Sequence, residues 1–186
     1  MKKIYGFTLL VLICQAASAQ KFVPQIKTGT EMGYTISMKD QAVAFSLTVS
    51  TTTDSLKMKW QVEDYGSGNY SMSNKSLQSG TEMHLESPEP NSNVELPETE
   101  TLAFISKNAF KDITQKRAME FGDVKYVLSK NQLSGIKIDN KELDVVHAEA
   151  VNGKTELWIL NNPDFPLICK TKNGSYGVDL ELDYIK

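Results

Sequence analysis

Glu149 and Glu156 stand at equal distances on either side of Asn152-Gly153. Asn-Gly is the strongest short hairpin signal, because both central residues of the tight turn need positive φ. A two-residue turn there sets Glu149 against Glu156, Ala148 against Leu157, His147 against Trp158 and Val146 against Ile159. Two facing carboxylates can share a proton or hold a cation. Paired carboxylates about 5–9.5 Å apart also do the acid–base work of glycoside hydrolysis. His147 is by type a base or a metal ligand. Its neighbours in this register are Trp158 across the strand and Glu149 two residues along. No HxH, HExxH or CxxC accompanies it, and spacing implies no third ligand. These residues define one functional reading, a hydrolase using Glu149/Glu156 or His147.

Other reactive types are read as structural. Cys169, within Pro166-Leu167-Ile168-Cys169, falls on the apolar face of a strand and reads as a buried thiol rather than a nucleophile. His84 lies between Glu82 and Glu86, a metal-like grouping whose alternation places it on a wet surface. Asp179, Glu181 and Asp183 form an acidic stripe opposite Val178, Leu180 and Leu182. That stripe is either a contact patch for a basic partner or a solvated face, as on an edge strand protected by charge. Ser134-x-x-Lys137, Ser67-x-Asn69 and Lys27-Thr28-Gly29 match the letters of the penicillin-recognising set, but in the wrong order and context. Asp54-Ser55-Leu56 resembles an acceptor site for O-glycosylation in exported proteins and falls in a hairpin turn. Trp158, His147 and Trp60 are the residues expected to line an apolar binding surface.

The elements that must position these groups are mostly strands. Val43, Phe45, Leu47 and Val49 alternate with small or polar residues, as do Leu56, Met58, Trp60 and Val62. Period two over both runs predicts a hairpin with one apolar face, anchored by Phe45 and Trp60. Tyr34–Met38 and Tyr70/Met72 read as further strands, and residues 86–100 as a polar, proline-bearing surface connection. Ser106 is an N-cap candidate before a short helix with Ala109, Phe110 and Ile113 on one face. Gly122-Asp123 predicts a second hairpin. Asn173-Gly174 predicts another, with Cys169 facing Val178 and Leu167 facing Leu180.

The chain has 186 residues, 40% hydrophobic and 23% charged, with formal net charge −3. That is one domain's worth of chain, long enough to fold on its own core. The acidic balance and the single arginine, Arg117, argue against nucleic acid. Lys2 and Lys3, the apolar run Phe7–Ile13 and Ala17-Ser18-Ala19 have the form of an export signal. It predicts a signal peptide over 1–19 and a single β-rich domain over 20–186, periplasmic or secreted. Ile13 before Cys14 is wrong for lipidation. No later run is apolar enough for a transmembrane span.

Ile138-Asp139-Asn140-Lys141, Gly153 to Leu160, Asn162-Pro163, Phe165 to Ile168 and Val178-Asp179-Leu180 together resemble uncharacterised exported bacterial proteins. Those are built like the periplasmic lipoprotein-localisation chaperones. Phe104 to Phe110 is similar to a middle element of the same proteins. The resemblance implies a curved antiparallel sheet or open barrel whose apolar face binds lipid chains.

The expectation is therefore a mainly β (α+β) fold: one curved, mostly antiparallel sheet or open barrel of hairpins, with one short helix packed on it. The leading functional expectation is a non-enzymatic envelope protein binding a lipid-like ligand or an envelope protein, without metal or cofactor. The hydrolase and a purely structural or adhesive module are the alternatives.

Overall fold

The computed structural model describes residues 21–39, 41–132 and 135–186. The predicted leader, Cys14 and Ser134 of the S-x-x-K match lie outside the described residues. Strands β1 (Glu31–Met38), β2 (Gln41–Thr51), β3 (Ser55–Val62) and β4 (Gly66–Ser73) come first, followed by helix α1 (Asn74–Ser79). Short strands β5 (Glu82–Met83), β6 (Asn93–Glu95) and β7 (Glu100–Thr101) lead to helix α2 (Lys107–Lys111), which runs on into a π turn, Asp112–Lys116. Then come β8 (Ala118–Phe121), β9 (Val124–Leu128), β10 (Lys137–Ile138), β11 (Lys141–Glu142), β12 (Val145–Ala150), β13 (Glu156–Leu160), β14 (Ile168–Lys172) and β15 (Val178–Ile185).

Eleven strands join one sheet in the order β6-β4-β3-β2-β1-β15-β14-β13-β12-β9-β8. The mainly β character and the small helical component are as the sequence predicts. The curved sheet or open barrel is not. The order is linear, and its terminal strands, β6 and β8, do not pair with each other. Closure would need those ends to meet. One end is a three-residue strand inside the Pro90–Pro97 connection, and the other leads back into the π turn. The polar connection is thus not only surface coil, since β6 adds a parallel edge to β4. Two short helices are present where one was expected. Ser73 caps α1 by accepting from the Ser76 N–H. Ser106 caps α2 by accepting from the Ala109 N–H at 3.4 Å, as its residue type predicts.

Strand alternation divides the sheet into two faces. Tyr34, Leu47, Val49, Leu56, Met58, Trp60, Tyr70, Met72, Leu182 and Ile159 are buried on one face, where Phe104, Ile105, Phe110 and Ile113 complete the core. The other face is polar at Lys57, Lys59, Lys170 and Glu181. The 43–49/56–62 hairpin holds its predicted alternation, with Trp60 fully buried and Phe45 partly so. Gly122 and Asp123 both take positive φ in the β8–β9 turn.

The Asn173-Gly174 register differs from expectation by four residues. Lys170 pairs with Glu181 because a 3-10 turn, Ser175–Gly177, lengthens the connection. An even shift preserves the faces, so Cys169 stays inside, with burial raising its thiol pKa to about 12.

Candidate functional site

The β12–β13 register is the predicted one. His147 pairs with Trp158 and Glu149 with Glu156, although the turn between them is wider than two residues. All four side chains fall on the face opposite the main core. His147 stacks on Trp158 with ring centroids 4.4 Å apart and planes 7° from parallel. One ligand atom from each of His147, Glu149 and Glu156 lies within 4.8 Å of the other two. The His147 side chain is 7% exposed and that of Glu156 22%, so the ring is sheltered while the carboxylates reach water.

Each ring nitrogen has an assigned partner. A carbonyl only accepts, so Nδ1 donates to the Asn131 carbonyl at 2.8 Å. Nε2 meets Glu156 Oε2 at 2.9 Å. Lys172 Nζ donates to Glu156 Oε1 at 2.6 Å. The Lys172 hydrogen bond holds the Glu156 carboxyl below the ordinary value of 4.5 against the opposing effect of burial, with the His147 hydrogen bond adding to the lowering. The Ser129 hydroxyl donates to Glu149 Oε1 at 2.5 Å.

Residues 129–132 explain this geometry. β9 pairs with β12 only at 148–150, so the His147 backbone would otherwise lie beside an unfinished edge. The Ser129 N–H donates to the His147 carbonyl at 2.9 Å. The Gln132 side-chain amide donates to that carbonyl at 3.1 Å, and its oxygen accepts from the His147 N–H at 3.2 Å. A side-chain amide thus continues the ladder, as buried backbone polar groups require. The same segment supplies the Asn131 carbonyl that aims the ring. Locking Nδ1 on a carbonyl so that Nε2 faces outward is how proteins prepare histidine ligands.

Trp60 does not join Trp158 and His147. It is fully buried on the opposite face, beside Gly68, where an added Cβ would lie 2.6 Å from the indole nitrogen. The expected curved-sheet surface for a lipid-like ligand or partner is not what the linear sheet presents, and the structure does not bring Trp158, His147 and Trp60 together. Two of the three belong to a polar cluster, and the third is core.

The acidic stripe lies in mid-sheet rather than on an edge. Glu181 pairs with Lys170 at 3.0 Å, Thr35 donates to Asp183 at 2.9 Å, and the Gly174 N–H donates to Asp179 at 2.8 Å. The O-glycosylation match does sit at the β2–β3 turn, with Asp54 exposed.

His84 corrects the sequence reading more sharply. Its side chain is 9% exposed, and its Nδ1 lies 2.5 Å from Glu100 Oε2. Glu82 pairs with Glu100 in the parallel β5–β7 ladder, and the His84 N–H donates to the Thr101 carbonyl at 2.7 Å. Sixteen residues separate the two partners, and sequence spacing carries no signal for a parallel pairing of two-residue strands.

Comparisons with family models, with curated proteins and with solved structures each gave no match. No helix among the described residues is long and apolar enough to cross a membrane.

Proposed function

We propose that this protein is a hydrolase whose centre is His147, Glu149 and Glu156, assisted by a divalent cation held between them. The observation that carries this reading is the convergence of the three ligand atoms within 4.8 Å around a ring aimed by the Asn131 carbonyl. Three protein ligands with positions left for water make the catalytic rather than the structural type of site. A mixed imidazole and carboxylate set suits zinc or manganese. The cation would be held on His147 Nε2 in place of the direct contact with Glu156. It would lower the pKa of bound water to about 7, the usual effect on a zinc-bound water. Lys172 would place a positive charge at the rim, and Ser129 would orient Glu149.

A metal-free acid–base reading is favoured by the direct His147–Glu156 contact at 2.9 Å. Titration calorimetry with zinc and manganese, alongside ester, glycoside and phosphoester assays before and after chelation, separates the two. Binding at one site, lost in His147→Ala and Glu149→Gln together with activity, is the expected result. Activity that survives chelation supports the metal-free reading. No hydrolysis of any substrate class, with no metal uptake, rejects both.

We also propose that the protein acts outside the cytoplasm, on the strength of Lys2, Lys3, the 7–13 apolar run and Ala17-Ser18-Ala19. Amino-terminal sequencing of protein from its own cells should begin at Gln20. An intact Met1 would reject export.

A further inference from the structure

A hollow of about 440 Å³ opens on the core face, between β1, β2 and β15 on one side and residues 83–88 on the other. It is within the size range of small-molecule sites. It shares no residue with the His147 cluster, and neither Trp60 nor Trp158 lines it. Tyr34, Phe45, Tyr70 and Leu180 give it an apolar, partly aromatic wall. Met38, Val43 and Tyr65, exposed at 48%, 43% and 50%, stand among its lining residues.

Into this wall the protein sets a partly buried polar ring. His84 lines the hollow with its side chain 9% exposed, and the Tyr70 ring meets it edge-on at 5.5 Å. A carboxylate only accepts, so Nδ1 carries the proton given to Glu100. Nε2 makes no hydrogen bond among the described residues. In the neutral tautomer that Glu100 selects, Nε2 presents its lone pair. Nε2 is not sealed from solvent, so the hydroxyl of a molecule entering the hollow can donate to it. Glu100 behind the ring and Glu86 in the lining oppose an anion at the same place.

We infer that this hollow binds a small, uncharged aromatic molecule bearing one hydroxyl, which donates to His84 Nε2.

The test is titration calorimetry in mildly alkaline buffer with para-butylphenol, para-butylanisole and para-butylbenzoate. The phenol should bind about three- to tenfold more tightly than the anisole, the size of one net hydrogen bond. The benzoate should bind more weakly than either. His84→Leu should abolish the preference for phenol over anisole. Should that variant not fold, Val43→Glu, at an exposed lining position, should weaken binding of both neutral probes. Equal affinity for phenol and anisole in the unaltered protein overturns the inference. So does the absence of binding, or binding indifferent to Val43→Glu.

Discussion

Two histidines in this protein each contact a glutamate, on opposite faces of the same sheet. His147 sits over β12 and β13 with both ring nitrogens engaged, a tryptophan stacked on its plane and a lysine sharing its carboxylate. His84 sits against an apolar hollow with one nitrogen engaged. The first pair is part of a network that fixes every member, as metal and catalytic centres require. The second is a single polar contact in oily surroundings, which suits recognition of one polar atom on an otherwise apolar molecule. What surrounds a histidine–carboxylate pair decides which chemistry it can serve.

Deleting each ring should expose the contrast most clearly. His147→Ala removes the stack and the ring's two hydrogen bonds, and leaves the Asn131 carbonyl without its ring partner. We expect it to lower unfolding free energy by about 2–3 kcal/mol in urea melts. His84→Leu puts an apolar side chain against an apolar wall and should cost less than about 1 kcal/mol. Equal losses would erase the distinction between network and isolated pair.

A pH series sharpens it next. Glu156 has a lowered pKa in the folded state, so its stabilising contribution is fully present above the ordinary value of 4.5 and is lost as pH falls through the lowered value. Glu156→Gln should therefore flatten the acid limb of the stability curve. Lys172→Met removes the largest cause of the lowering and should move that limb to higher pH. An acid limb unchanged in both variants would show that Glu156 is not held by these partners.

The smallest effects are expected at the acidic stripe. Glu181→Gln breaks an exposed pair with Lys170 and should change stability by less than about 0.5 kcal/mol. Asp179→Asn, which disturbs the acceptor of the Gly174 N–H, should cost about 1 kcal/mol. If Glu181→Gln proved the more damaging, the stripe would be more than a solvated mid-sheet face.

Patterns with local causes were legible in the residues alone. Alternation predicts the β2–β3 hairpin, Asn152-Gly153 predicts the pairing of His147 with Trp158 and of Glu149 with Glu156, and Ser106 predicts the α2 cap. Each rests on neighbours within a few residues, where backbone geometry leaves few choices. The β14–β15 register was misread because nothing in Asn173-Gly174 announces the extra 3-10 turn beyond it. Only the tertiary structure left the sheet open and laid residues 129–132 along β12. Only there does Lys172 reach Glu156, and only there does a parallel pairing of two-residue strands carry Glu100 to His84. Such contacts join segments whose own patterns are too short to specify a partner. They form because buried backbone and charged groups must be satisfied by whatever the completed fold brings within reach.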